Sequence, residues 1–441
     1  MSTLVSPPKL VSPNRSQGVL LMPTSFDNLI EESHPARSVW SFVETLDLGP
    51  FVAQIRTRVG EAGRPAVDPH LLLALWMYAT VDGVDSGRKL ARLCHENLVY
   101  RWMCGGVSVE YHTLNDFRSE NADALRTVLT RSVSALIAGG VISVETVALD
   151  GVRVRASAGA SSFRSARRLR ELSAAVERRI AGLMEAWKEN GTDPNSPGPR
   201  RKRREAQERV NRLKSAIEAA EELDRVRASE LQTNTKIDKK RRAKIRSTLE
   251  RGSRASSSDP QSAILKMADG GFRPAVNSYV STDTRHGFVL DVHLTSDATD
   301  NAELPNAVDR LSKAYGTGRV KNVLADSGFR DERAMSEMEK GGVAVYTPLP
   351  KPRGERAVDA PVRHESAVQK DWRARMTSEE GQDLYRLRGR FVEFVFAGFR
   401  NRGLRQLRVR GRVRSTAVLL LHSLTHNFFV ASLETGARRA A

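Results

Sequence analysis

Beyond residue 145, short apolar runs alternate with amphipathic stretches. That alternation confines this half of the chain to a sheet covered by helices. Residues 146–149 are an apolar run ending in Asp150-Gly151, the pattern of a buried strand that delivers its last residue to a sheet edge. Arg153 and Arg155 follow on alternate positions. Residues 274–280 and 287–295 read as two strands, joined by a hairpin loop that ends in Gly287. A helix over 304–314, a strand over 320–325 ending in Asp326, a helix over 332–340 and a strand over 343–347 follow. Residues 351–375 read as polar and irregular, and helices are expected over 384–398 and 416–433. The predicted fold class is α/β (α+β mixed), with a mixed sheet.

The rest of the chain divides by composition. Residues 1–18, rich in Pro, Ser and Asn, read as a loose tail. Residues 19–140 carry helical spacing throughout, with Asp68 as N-cap and Pro69 opening a helix. They are expected to form a helical, DNA-binding N-terminal domain. The segment from Thr113 to Arg118 is either its exposed, DNA-facing part or a packed structural helix. Residues 164–263 form an insertion: two apolar stripes, Leu169 to Trp187 and Val210 to Leu223, flank a Gly/Pro/Asn breaker at 190–199. They predict an antiparallel helical hairpin with basic runs at 200–204 and 236–244, closed by a Ser-rich linker at 253–260. Residues 141–163 and 264–441 then make the catalytic domain.

Seventy Lys and Arg stand against 52 Asp and Glu, a formal charge of +18, and the excess is clustered. Nucleic acid is the partner this favours, ahead of an anionic membrane surface. Cys94 and Cys104 are the only cysteines and have no zinc-ligand spacing, which suits a reducing compartment. The longest apolar runs, 71–76 and 417–421, fall short of the ~18–20 residues of a membrane span. No P-loop or dinucleotide fingerprint is present, so no nucleotide cofactor is expected. A cytoplasmic, nucleoid-associated protein is the expectation.

The chemistry points to three acids. Asp150 and Asp326 each end a strand, where ligands gather in open α/β sheets. Glu393 lies in a basic helical segment among Phe391, Phe394, Val395 and Phe399. An acid with such neighbours is expected to be desolvated unless paired, with Arg390 for example, or bound to metal. Three carboxylates meeting on one sheet would hold two Mg²⁺ or Mn²⁺ ions for in-line phosphoryl displacement. Tyr385, Arg388, Glu393 and Arg400 fall near one helical face, with the arginines and the tyrosine hydroxyl available to phosphate oxygens. Among other candidates, His422 and His426 read as packed helix residues. Asp297 and Asp300 read as loop or cap residues, Asp291 as solvent-facing on its strand, and Trp372 as a core or surface residue.

The set Asp150, Asp326 and Tyr385-x2-Arg388-x4-Glu393-x6-Arg400 resembles the DDE transposases of bacterial insertion sequences. Residues 65–117 resemble their helical N-terminal domain. Ser257-Ser258-Asp259-Pro260, Gly270 to Pro274 with Asn277, Gly403 to Gly411, and His426-Asn427 are similar to further segments of that family. The resemblance implies an RNase H-like catalytic domain, with Asp150, Asp326 and Glu393 as both catalytic residues and metal ligands. It implies DNA contacts from Tyr385, Arg388, Arg400 and, on charge, Arg153. It also implies double-stranded DNA (element ends and target) as substrate and a homodimer on DNA. Two positions depart from the pattern: Phe394 stands where Pro is frequent, and Arg400 where Lys is common, which shifts the grip toward bidentate phosphate contact. The rival readings are an RNase H-like nuclease without strand transfer, a non-catalytic basic DNA-binding protein or decayed transposase, and a scaffold built on the hairpin.

Overall fold

The computed structural model describes residues 9–11, 25–233, 238–297, 303–350 and 366–440, with side chains to Glu434. Strand β1 (Leu10–Val11) pairs in parallel with β2 (Ala66–Val67), so part of the expected loose tail is tied to the helical unit. That unit is α1 (Pro35–Glu44), α2 (Gly49–Val52), α3 (Pro69–Val81), α4 (Gly87–Glu96), α5 (Leu98–Cys104), α6 (Tyr111–Glu120) and α7 (Ala122–Ala138). Asp68 caps α3 by accepting from the His70 amide, as the sequence suggested. Every residue of α3 from Leu71 to Thr80 is buried, because neighbouring helices surround it on all sides.

Strands β3 (Thr146–Arg155), β6 (Ala263–Lys266), β7 (Phe272–Asp283), β8 (Val289–Thr295), β9 (Asn322–Ala325) and β10 (Ala344–Tyr346) build the main sheet. Its order is β10-β9-β3-β7-β6, with β8 also on β7. The pairs β10–β9 and β9–β3 are parallel, and β7 runs antiparallel to β3, β6 and β8. The β7–β8 hairpin is closed by Asp283, whose carboxylate accepts from the amides of Arg285, His286 and Phe288.

Between β3 and β6 the chain leaves the sheet. A two-stranded neck, β4 (Phe163–Ser165) against β5 (Arg254–Ser256), carries α8 (Ala166–Glu189), α9 (Pro197–Thr233) and α10 (Lys239–Arg251). A third helix thus joins the expected pair, and the predicted Ser-rich linker is instead ordered structure with Ser253, Ser256 and Asp259 buried. Residues 234–237 of the second basic run lie outside the described residues. The hairpin has a small core of its own around Leu169, Leu213, Ala216 and Ala220.

Helices α11 (Glu303–Tyr315), α12 (Glu332–Lys340), α13 (Ala367–Thr377), α14 (Glu379–Asn401) and α15 (Arg412–Ala440) complete the fold. Helix α13 occupies ground read as irregular, and its Trp372 is buried with Nε1 donating to the Thr347 carbonyl. The stretch Arg412–Glu434 of α15 is long and apolar enough to cross a membrane, which the sequence reading missed. Most of it is buried within the protein, however, against α3, α6, α7 and β8. One continuous apolar core therefore runs from the N-terminal helices through α15 into the sheet. Asn427 on α15 prolongs β8 in place of a neighbouring strand: its side chain accepts from the Val289 amide and donates to the Val289 carbonyl. His426 and His422 are buried on the same helix, in agreement with the packed reading.

Asp291 departs from expectation. It is buried, bonded to Arg126 of α7 at 2.8 Å and to Arg310 of α11 at 2.7 Å. Strand alternation was a poor guide here because β8 is covered on both faces, by α15 and by α7 and α11.

Candidate active site

The site is assembled by strand register. The parallel ladder between β3 and β9 ends at Leu149 opposite Ala325, so Asp150 and Asp326 are the next residues on two adjacent strands. Equivalent positions on neighbouring parallel strands share a face and lie about 4.8 Å apart. Asp150 is not the last residue of its strand, as the sequence suggested. Strand β3 continues to Arg155 because β7 pairs with it along its whole length. Gly151 is required there: a Cβ would stand 2.8 Å from the Tyr279 ring across the ladder.

Helix α14 packs over β3, β7 and β9 and brings Arg388 between the two aspartates. Its Nη2 donates to Asp150 Oδ2 at 2.5 Å and lies 3.8 Å from Asp326 Oδ2. Arg388 and Asp150 are largely buried, at 16% and 20% side-chain exposure, whereas Asp326 is half exposed. Burial raises the Asp150 carboxyl above its ordinary pKa, and Asp326 adds to the rise. Arg388 and the Gly151 amide oppose it. Tyr385 lies one turn before Arg388, and its hydroxyl is raised mainly by burial, with Asp326 and Asp150 adding and Arg388 opposing.

Glu393 stands differently. It is exposed, so the desolvation expected from its aromatic neighbours does not occur. Phe391, Val395 and Phe399 turn inward, whereas Glu393 lies on the solvent side. Its Oε1 folds back over Gly389, 4.0 Å from where a Cβ would be. Among the described residues no group of three or more acids or other metal-binding side chains is gathered closely enough to hold an ion, so the structure brings together Asp150 and Asp326 but not Glu393. It forms no ion pair with Arg390 among the described residues, and the Arg390 guanidinium lies over the Phe391 ring.

Beside the aspartates opens a cleft of about 480 Å³. Its floor is apolar, with Phe329, Phe396 and Phe399, and its polar wall includes Arg153, Asn277, Arg400 and Arg405. Arg153 also donates to the Lys266 carbonyl. Sequence reasoning had not assigned Asn277 and Arg405 to the site. Asn277 sits in a strand that also carries Ser278, Ser281 and Thr282, so its polarity alone was no signal. A larger cavity, about 830 Å³, lies among the N-terminal helices around Phe51 and Phe117, away from these acids. In the same unit Arg118, the one cation of the suggested DNA-facing segment, is buried against Trp76 with its guanidinium 4.2 Å from the ring. The packed reading of that segment therefore holds.

Two aspartates thus converge on one cation beside a cleft with a basic wall. Residues 252–428 match the family described as a transposase DDE domain. Residues 24–120 match a transposase domain (DUF772). The chain belongs to the DDE transposases of insertion sequences. The DDE match contains Asp326, Tyr385, Arg388, Glu393 and Arg400, while Asp150 falls between the two matches. No curated protein and no solved structure matches the chain. It is thus a metal-dependent enzyme acting on DNA, with the mixed α/β architecture in which such a domain fits.

Proposed function

We propose that this transposase cuts DNA at the element's ends and joins the freed strand to target DNA, using Asp150, Asp326 and Glu393 to hold two divalent ions, Mg²⁺ or Mn²⁺. The observation that carries the reading is the convergence of Asp150 and Asp326 on a single cationic atom of Arg388. A point that accommodates a guanidinium nitrogen between two carboxylates suits a hard cation with oxygen ligands. When bound, the ions would supply Lewis-acid stabilisation of the attacking and leaving oxygens of an in-line displacement. Support for Glu393 as third ligand is of another kind. It comes from the resemblance and from the bare helix surface at Gly389, which leaves its carboxylate a path toward the Arg388 turn.

The protein's own groups then divide the work. Arg153, Arg400 and Arg405 around the cleft grip phosphates on either side of the scissile bond, with bidentate geometry available to each guanidinium. Arg388, displaced from the aspartates, and Tyr385 orient the phosphate between them. Cleavage is hydrolysis, with water breaking the phosphodiester to leave a 3′-hydroxyl and a 5′-phosphate. Joining exchanges one phosphodiester for another as that hydroxyl displaces a target 3′-oxygen, so no nucleotide cofactor is required. The inserted hairpin exposes Arg200, Arg201, Lys202 and Arg204 on α9 and Lys239, Lys240 and Lys244 on α10, and we assign it, with the N-terminal helices, to binding the element's ends. Two ends held together imply a homodimer on DNA. The domain division follows: residues 19–140, the hairpin at 164–263, and an RNase H-like unit from 141–163 and 264–441, which the mixed sheet supports.

The test is a strand-cleavage and strand-transfer assay on DNA bearing the element's ends, with a plasmid target and Mg²⁺. Asp150→Asn, Asp326→Asn and Glu393→Gln should each abolish both products while leaving DNA binding intact. Cleavage without plasmid joining would assign a nuclease instead. Wild-type activity in Glu393→Gln alone would remove that residue from the ligand set.

A further inference from the structure

Where the N-terminal helices meet the end of α14 and the first half of α15, a cavity of about 30 Å³ is lined by Trp76, Arg118, Arg402, Leu421 and His422 among others. Three nitrogens of its wall residues are buried with no hydrogen-bond partner: Arg118 Nε, Arg402 Nη1 and His422 Nδ1. Arg118 and His422 are themselves more than nine-tenths buried, at 7% and 8% exposure. Buried polar groups are nearly always satisfied, and a cluster of orphans around one void signals a bound water or ion.

The charge decides between them. Arg118, Arg402 and Arg408 line the void against a single carboxylate, Asp85. That carboxylate is already engaged, since Arg408 Nε donates to it at 2.8 Å. Arg118 spends one further donor on the Asp85 carbonyl at 2.6 Å, and its guanidinium and that of Arg402 otherwise lie on the faces of Trp76 and Phe429. Neither arginine forms a close ion pair among the described residues; the Asp85 carboxylate acts on Arg118 only through space and is shared with Arg408. Burial lowers the pKa of both guanidiniums, and His422 is held neutral, at about 3, by burial and by these two cations. Guanidiniums withdrawn from water, Arg118 fully and Arg402 in part, are disfavoured without a close counter-charge. The centre of a water-sized sphere can move over about 30 Å³ of the void, room enough for a monatomic anion.

We propose that this cavity is a site for a monatomic anion of chloride size, held by Arg118, Arg402 and His422. The ion would tie α6 of the N-terminal unit to α14 and α15 of the catalytic unit, in a cavity separate from the one beside Asp150 and Asp326. Its effect would be on how firmly the DNA-binding helices are seated, independent of the metal-site assignment.

Thermal unfolding of the full chain should respond to chloride at constant ionic strength, with gluconate, which cannot enter, as the balancing anion. Exchange of gluconate for chloride should raise Tm by about 2–4 °C. Arg402→Gln should abolish that response. Because this substitution also removes a contact with Phe429, a second measurement stands beside it: crystals grown with bromide should show an anomalous peak between Arg118, Arg402 and His422. Equal Tm in both salts with no anomalous peak would overturn the proposal and leave the void to a water molecule. A chloride response retained in Arg402→Gln would equally overturn it.

Discussion

Asp291 offers the sharpest test of how the two halves of this protein are joined. Its carboxylate is 9% exposed and receives Arg126 Nη1 at 2.8 Å and Arg310 Nε at 2.7 Å. Arg310 also donates to Glu303, 5% exposed, at 2.5 Å. Asp291→Asn keeps the shape and removes the charge. Arg310 would retain Glu303 and Arg126 would retain the Val292 carbonyl at 3.1 Å, so neither guanidinium is fully abandoned. The loss is one largely buried charge-assisted bond, about 1.5–3 kcal/mol. Added to it is the Arg126 contact, discounted to about 0.2–1 kcal/mol because that side chain is over a third exposed. A total of about 2–4 kcal/mol corresponds to a fall in Tm of roughly 2–4 °C for a chain of 441 residues. Thermal unfolding followed by circular dichroism reads it directly. A double-mutant cycle with Arg310→Gln should give a coupling energy above about 1 kcal/mol. If Asp291→Asn shifts stability by less than about 0.5 kcal/mol, Asp291 faces solvent after all and the buried bridge from α7 to α11 is refuted.

Other expectations concern the site and the core. Arg388→Gln removes the guanidinium held by Asp150 and Asp326, and titration calorimetry should show Mn²⁺ binding about tenfold tighter, equivalent to one charge-assisted bond. Gly151→Ala forces its Cβ against the Tyr279 ring, which itself packs edge-on to Phe329, and should lower stability by about 1–3 kcal/mol with a changed near-ultraviolet dichroism signal. His422 and His426 titrate near 3 and 4 in the folded protein, both lowered chiefly by burial. The unfolded chain therefore binds more protons below about pH 6.5, and stability should fall as pH drops from there toward 4, by up to about 1.4 kcal/mol per pH unit for each histidine. Urea midpoints measured across that range should become flatter in His426→Asn. Removing Arg405 should weaken DNA binding for all sequences alike and reduce its salt dependence by about one unit of slope, as measured by fluorescence anisotropy.

What the sequence determined by itself is local. Asp68 before Pro69, the Asp283–Gly287 turn and the short apolar runs ending near Asp150 and Asp326 specify caps, a hairpin and strands through contacts a few residues apart. The order of acids around the Tyr385–Arg400 helix likewise identified the family before any fold was known. Tertiary structure decided which side of each element meets protein. The aromatic residues near Glu393 suggested burial, yet helix rotation turns Phe391 and Phe399 inward and leaves Glu393, with Phe394, on the solvent side. Asp291 alternates like a surface residue, but helices cover both faces of its strand. The meeting of Asp150 with Asp326 across 176 residues, and the entry of Arg388 between them, depend on the register of β3 with β9 and on where α14 lands. Neither is encoded in a window of sequence, because pairing and helix docking are fixed by the summed packing of a core that spans the whole chain.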